Sequence, residues 1–232
     1  MNYLANALPL AGRDTGEISD RFDVAVTPAG YAFSIWGVIY LALGAFVIYQ
    51  LLPNQASARL DRTRILFLLS CLFNVAWLLA WHNLLIPLSL LIMLCLLAVL
   101  FMVYAEVRHI DAAVGRNDWL LRLPFSLYLG WISVATLVNV GVVLYDLGPL
   151  RSPALDITWA LFALVVLTVA VLFVLRMFDD VVYALVALWA SVAIVVANLA
   201  QPLVVVAAGL VALLLVGGIG WNIGRSQHRL GG

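Results

Sequence analysis

Long uninterrupted apolar segments alternate with short polar connections along most of the chain. Each segment has about the 17–25 residues that a transmembrane helix needs, and none alternates apolar and polar residues as a membrane β-barrel strand does. The sequence therefore predicts an all-α fold, a polytopic transmembrane helical bundle with seven spans. The predicted spans are Tyr31–Leu52, Ile65–Trp81, Leu84–Ala105, Leu123–Tyr145, Ile157–Leu175, Val181–Leu199 and Leu203–Trp221.

Two prolines help to place the starts of these helices. Proline fits the first turn of a helix but breaks its interior. We therefore predict that Pro202, which follows a very short connection, starts the seventh span, and that Pro28 opens the first.

The composition places nearly the whole chain in lipid. Of the 232 residues, 66% are hydrophobic and 10% are charged, and the mean hydropathy is +1.11, values that soluble domains do not reach. One helical membrane domain fits this chain, and a second, soluble domain does not. A formal net charge of zero gives no electrostatic footprint for nucleic acid.

The basic residues, all of them arginines, are distributed unevenly between the two sides of the predicted bundle. Nine lie on one side and three on the other, so the positive-inside rule predicts an external N-terminus and a cytoplasmic C-terminus. We expect the plasma membrane of a bacterium or archaeon. The outer arginines are Arg13, Arg21 and Arg151, and the inner ones are Arg59, Arg62, Arg64, Arg108, Arg116, Arg122, Arg176, Arg225 and Arg229.

Residues 1–27 form a polar segment of mixed charge. The segment lacks the basic start and apolar stretch of a secretory signal. Two interpretations remain open, a solvated tail and an ordered lid over the mouth of the bundle. The second is suggested by the apolar side chains among the charges, namely Leu4, Leu8, Leu10 and Phe22.

The predicted spans carry no ionisable side chain near their middles. Pumps and ion-coupled carriers usually place such groups inside the membrane, so a transporter is disfavoured. A retinal Schiff base is excluded because it needs a lysine, which the chain lacks. Cys71 and Cys95 lie in apolar runs and are expected to be core residues. We predict no catalytic residue, no metal site and no required cofactor.

Aromatic and amide side chains recur at helical spacing on three spans. Rings on one helix face can stack on a flat apolar ligand while amides orient it. The same residues could serve instead as packing, as interfacial aromatics or as interhelical hydrogen-bond donors. The stripes are Phe33, Trp36 and Tyr40 on the first span, Asn74, Trp77 and Trp81 on the second, and Tyr128, Trp131 and Asn139 on the fourth.

The first of these stretches, PAGYAFSIWGVIY, resembles the signature helix of the tryptophan-rich sensory protein family, also called the translocator protein or peripheral benzodiazepine receptor family. The family's W-x-x-L-Y is matched by Trp36, Ile39 and Tyr40, and its N-x-x-W by Asn74 and Trp77. Its W followed by L-N resembles Trp131 with Val138 and Asn139.

This resemblance implies that the first four spans correspond to the last four helices of a five-helix fold. Residues 28–146 would then be a translocator-protein-like four-helix region. Residues 147–224 would add three transmembrane helices without a counterpart that we can name, and 225–232 would be a cytoplasmic tail. The chain is therefore interpreted as a divergent, enlarged member of the family.

The resemblance also implies a receptor or carrier for a flat hydrophobic ligand. Such a ligand would be a tetrapyrrole such as protoporphyrin or haem, or a sterol-like or isoprenoid molecule. Residues carried over from the family motifs are Trp36, Tyr40, Asn74, Trp77, Trp131 and Asn139, and helical spacing adds Tyr31, Phe33 and Trp81. His82 is expected to be an ordinary loop residue rather than a haem ligand.

Other functions remain open. The chain could be a structural or accessory subunit of a membrane complex, or a small-molecule transporter. An enzyme acting on an isoprenoid or porphyrin is less well supported, because no acid, base or metal ligand lies inside the predicted spans. The expected partners are membrane lipid, a hydrophobic small molecule, and either a second copy of the chain or a membrane-complex subunit.

Overall fold

The computed structural model describes residues 15–50, 58–114 and 119–230, and within these ranges it contains helices and no strand. Short 3₁₀ turns, Gly30–Ser34 and Pro149–Arg151, precede the second and sixth α-helices. The all-α prediction is confirmed. The α-helices are α1 (Thr15–Ser19), α2 (Ile35–Tyr49), α3 (Ala58–His82), α4 (Ile86–Val114), α5 (Trp119–Asp146), α6 (Pro153–Phe178), α7 (Val181–Ala197) and α8 (Pro202–Leu230).

Six segments are long and apolar enough to cross a membrane, where seven spans were predicted. The predicted sixth span corresponds to α7, which is apolar but has only 17 residues. The predicted end of the first span, at Leu52, lies outside the described residues. The six segments are Gly30–Tyr49, Leu60–His82, Ile86–His109, Trp119–Asp146, Pro153–Phe178 and Pro202–Arg225.

Several helices continue beyond the apolar runs that predicted them. Helix α3 begins at Ala58 rather than Ile65, α4 continues past Ala105 to Val114, and α8 continues past Trp221 to Leu230. Hydropathy marks the part of a helix that suits lipid, whereas backbone hydrogen bonds can continue into polar sequence. The added ends carry most of the arginines of the predicted inner side.

Of the two predicted helix starts, Pro202 is confirmed as the first residue of α8, and Pro28 is not a helix start. Beyond Pro28 the Ala29 N–H donates to the carbonyl oxygen of Ala193 at 3.1 Å, and the first helical turn begins at Gly30. Ala29 therefore lies before the first helical turn, and this tertiary hydrogen bond links it to α7 within the second unit.

The described residues form two compact units, 15–18 with 33–139 and 19–32 with 140–230. In the first unit α3 packs against α4. Phe46, Phe67 and Phe125 join α2, α3 and α5 in this unit through edge-to-face contacts with centroid distances of 4.8–6.0 Å. The predicted family-like region, 28–146, stays a prediction.

In the second unit α6, α7 and α8 pack against one another. Small side chains let membrane helices approach closely, and α7 buries four alanines together with Ser191. The alanines are Ala184, Ala187, Ala190 and Ala193.

The described part of the N-terminal segment is held by hydrogen bonds. Within the first unit the Trp81 indole donates to the Thr15 carbonyl at 3.3 Å. Within the second unit the Ala25 N–H donates to the Asp156 carboxylate at 3.1 Å, and the Ala25 carbonyl accepts from Asn198 Nδ2 at 2.9 Å. Residues 1–14, with three of the four apolar side chains that suggested a lid, lie outside the described residues.

Candidate functional site

A cluster of aromatic rings joins the start of α2 to the middle of α5. The Trp131 ring is met edge-on by Phe33 at 5.6 Å and by Trp36 at 6.4 Å between centroids. Trp36 also stacks on Tyr40 at 5.4 Å and contacts Tyr128 at 5.9 Å. Trp36, Tyr128 and Trp131 are buried, while Phe33 and Tyr40 are half-buried. The rings that helical spacing placed on one side of each helix therefore contact one another across α2 and α5.

A second group, built from amides and indoles, lies along the same helix α5 and joins it to α3 and α4. The Trp77 indole donates to Asn139 Oδ1 at 3.1 Å, and Asn139 Nδ2 donates to Ser89 Oγ at 3.1 Å. Trp77 stacks on Trp81 with their centroids 5.7 Å apart. Three helices thus meet at one carboxamide, which the network holds in a single orientation.

Asn74, one turn before Trp77 on α3, is the polar group that this packing leaves unsatisfied. Its side chain is fully buried, and within the part of the chain that the structure describes neither Oδ1 nor Nδ2 has a hydrogen-bond partner. A buried amide without partners costs about 1–3 kcal/mol. Such exceptions call for a specific explanation, such as a water molecule or a ligand that supplies the missing bonds.

The Trp131 indole is a second buried polar group that the packing leaves unsatisfied. Its Nε1 is buried and has no hydrogen-bond partner among the described residues, although the ring is enclosed by other aromatics. Tryptophan N–H groups usually find a partner when they are buried. The hydrogen-bonding groups of these two side chains, one on α3 and one on α5, are therefore unused within the described part of the chain.

Of the predicted site residues, Tyr31 alone lies in the second unit. It contacts Trp189 edge-on at 5.3 Å and is 43% exposed. The Trp189 indole in turn donates to the Ala32 carbonyl at 3.2 Å. The structure thus groups the remaining eight predicted residues in the first unit and places Tyr31 with a different partner.

Two features of the first unit escaped the sequence reasoning. Ser89, which bridges to Asn139, is a lone polar residue inside an apolar run, and that isolation could have marked it as an interhelical hydrogen-bond partner. The cluster of Phe46, Phe67 and Phe125 had no such signal, because phenylalanine is ordinary in any lipid-facing or buried run.

The described residues show no group of three or more histidine, cysteine or acidic side chains that could hold a metal ion. His82 directs Nδ1 to the Leu78 carbonyl at 2.9 Å, and its Nε2 is buried without a partner in the described chain.

Two cavities of about 330 and 170 Å³ are lined by residues of the second unit. In the first unit, the rings of the aromatic cluster contact one another with centroid distances of 5.4–6.4 Å.

Comparison with known proteins gives one result. A family model, that of the TSPO-like (translocator-protein-like) proteins, matches residues 1–221. The match includes residues 147–221, for which the motifs alone suggested no counterpart. No curated protein and no solved structure matches the chain. Since the family match covers far more than half of its length, the chain belongs to the TSPO-like protein family.

Proposed function

We propose that this TSPO-like membrane protein is a receptor or carrier for a flat hydrophobic ligand, bound between α2, α3 and α5 of the first unit. The ligand would be a tetrapyrrole such as protoporphyrin or haem, or a sterol-like or isoprenoid molecule. Trp36, Tyr40 and Trp131 would supply ring contacts, and Asn74 a polar anchor. The chain requires no cofactor for this role.

The observation that carries the proposal is the unsatisfied amide of Asn74. A ligand with a hydrogen-bonding edge, such as a pyrrole nitrogen, a carboxyl group or a sterol hydroxyl, would supply the bonds that the protein does not. Binding would then recover the free energy that burial of the amide costs, about 1–3 kcal/mol. The amide would therefore contribute to affinity as well as to orientation.

The surrounding rings favour a flat apolar ligand. Aromatic pairs contribute about 0.5–1.5 kcal/mol each beyond the effect of area burial, and the cluster of Trp36, Tyr128 and Trp131 offers several ring faces and edges. In our proposal the half-buried rings of Phe33 and Tyr40 move aside to admit the ligand. Asn139 stays fixed by Trp77 and Ser89 and forms one wall.

The topology that accompanies this proposal has seven spans. At 17 residues, α7 would be about 25 Å long and would lie at the short end of the transmembrane range. With seven crossings, nine arginines lie on one side of the membrane and three on the other. This distribution supports an external N-terminus and a cytoplasmic C-terminus in a bacterial or archaeal plasma membrane.

The test is a protoporphyrin titration of the detergent-purified protein, followed by tryptophan fluorescence. We expect saturable quenching with the wild type and an affinity about tenfold lower with Trp131→Phe, which removes Nε1 and part of the ring surface. Trp131→Ala should weaken binding further. Trp221→Phe is the control, because Trp221 is 72% exposed and lies in the second unit.

Linear, non-saturating quenching of the wild type would contradict the proposal and favour the accessory-subunit function. Equal affinities for the Trp131→Phe and Trp221→Phe variants would contradict the assigned site. Size-exclusion profiles and far-UV circular dichroism of each variant separate loss of binding from loss of fold.

A further inference from the structure

A cavity in the second unit is separate from the site of the proposed function. The larger described cavity, of about 330 Å³, opens between the last turns of α6 and the corresponding turns of α8. A volume of this size falls within the range of small-molecule sites. Its lining combines two arginines and Asn222 with apolar side chains, and the Asn222 amide is already bonded to the Leu175 carbonyl and to Asp179.

The charged half of the lining is formed by Arg176 at the end of α6 and Arg225 near the end of α8. In the described part of the chain neither guanidinium takes part in a hydrogen bond or an ion pair. The nearby Asp179 does not line the cavity, and its carboxylate accepts from Asn222 Nδ2 at 2.7 Å. Two cations therefore face one cavity while the adjacent acid is engaged by the protein.

The apolar half of the lining comes from Leu172, Leu175 and Gly218. A Cβ atom at Gly218 would lie 3.4 Å from Leu175 Cδ1 and 3.6 Å from Leu172 Cδ2. Because glycine has no side chain, the groove between α6 and α8 is deeper at this position. Leu172 is 41% exposed and Trp221, at the rim, is 72% exposed. The groove is thus accessible from the lipid side of the helices.

We propose that this cavity binds an anionic phospholipid, with the phosphate between Arg176 and Arg225 and an acyl chain along Leu172, Leu175 and Gly218. Arginine recognises phosphate through paired N–H donors. Basic pockets between membrane helices on the cytoplasmic side suit anionic headgroups, and an exposed tryptophan suits the headgroup level of the bilayer. A free inorganic anion would match the arginines but leave the apolar half uncovered.

The positive-inside bias explains why arginines lie on this side of the membrane, but it does not explain why two of them line one cavity. Arg62, on the same predicted side, pairs with Glu106 at 2.9 Å instead. It therefore provides a matched control that removes one positive charge from the same side without touching the cavity.

The test is native mass spectrometry of the full chain, delipidated in detergent and then offered dioleoyl phosphatidylglycerol or dioleoyl phosphatidylcholine. We expect one phosphatidylglycerol to be retained in preference to phosphatidylcholine. Arg176→Gln and Arg225→Gln should each lower that retention about fivefold, while Arg62→Gln should retain the lipid as the wild type does.

Equal retention of phosphatidylglycerol in the two cavity variants and in Arg62→Gln would overturn the proposal. Displacement of the lipid by excess inorganic phosphate would also overturn it, since the site would then take a free anion. A second measurement is the quenching of Trp221 fluorescence by a brominated phosphatidylglycerol. The Trp221 contribution is the part of the quenching that disappears in the Trp221→Phe variant. No such signal with the wild type would likewise contradict lipid binding in the groove.

Discussion

The indole of Trp77 donates a hydrogen bond to the carboxamide oxygen of Asn139, 3.1 Å away, and so joins α3 to α5 within the first unit. These two residues belong to separate family motifs, one on each helix. Asn139 Nδ2 then donates to Ser89 Oγ on α4 at 3.1 Å. One side-chain network therefore links three helices.

The Trp77–Asn139 hydrogen bond should be measurable as a coupling free energy. In a double-mutant cycle of Trp77→Phe and Asn139→Leu we expect about 0.6–1.7 kcal/mol, as for other interhelical hydrogen bonds in membranes. The measurement is unfolding in mixed micelles with increasing dodecyl sulfate. Thr136→Ala replaces Asn139→Leu in the control cycle, because the Thr136 hydroxyl donates to Ile132 within α5. Equal coupling in the two cycles would show that the hydrogen bond contributes nothing specific.

Asn74 should affect stability and binding in opposite directions. Asn74→Leu replaces an unsatisfied buried amide by an apolar group of similar size, so we expect the ligand-free protein to gain about 1–3 kcal/mol of unfolding free energy. Its protoporphyrin affinity should fall. Unfolding and fluorescence titration are measured on the same preparation. Asn83→Leu is the control, since Asn83 is exposed, lies in the turn after α3 and donates only to the Leu79 carbonyl in the described structure. Lower stability with unchanged affinity would contradict our interpretation of the amide.

Gly141 occupies a point of close contact in the second unit. A Cβ atom there would lie 2.7 Å from Trp159 Nε1 and 2.8 Å from Val24 Cγ1, and two neighbours would have to move together. We expect Gly141→Ala to destabilise the protein by about 1–3 kcal/mol. Gly217→Ala, also in a helix but with open space around it, should be neutral or slightly stabilising because alanine favours helix. Thermal unfolding that ranks the two variants the other way would contradict this account.

The backbone of Ala25 is held by two hydrogen bonds. Its N–H donates to Asp156, and its carbonyl oxygen accepts from Asn198. Asp156→Ala removes the acceptor of the Ala25 N–H, so the segment around Arg21 should open more often. We expect limited trypsin cleavage after Arg21 to accelerate about tenfold, which corresponds to the loss of one partly buried hydrogen bond to a charged group. Thr158→Ala is the control, because its exposed hydroxyl donates to Ala154 within the same helix. Cleavage at the same rate in both variants would show that Asp156 does not hold the segment.

Some of these properties followed from the sequence alone. A long apolar run in lipid has to form a helix, since no other local structure satisfies its backbone groups, and six of the seven apolar runs coincide with helices long enough to cross a membrane. The spacing of Trp36 and Tyr40, of Asn74 and Trp77, and of Trp131 and Asn139 likewise placed each pair on one side of its helix, because the helical period is fixed by backbone geometry. The family followed from the same motifs.

Other properties needed the tertiary structure, because they depend on partners distant in the chain. Nothing local distinguishes Asn139, which Trp77 and Ser89 satisfy, from Asn74, which the described protein leaves without a partner. Tyr31 and Phe33 are two residues apart, yet Tyr31 packs on Trp189 and Phe33 on Trp131. Ala29, which follows Pro28, donates its N–H to the carbonyl oxygen of the distant Ala193. Periodicity determines which way a side chain points along its own helix, and only the packing of helices decides what it meets there.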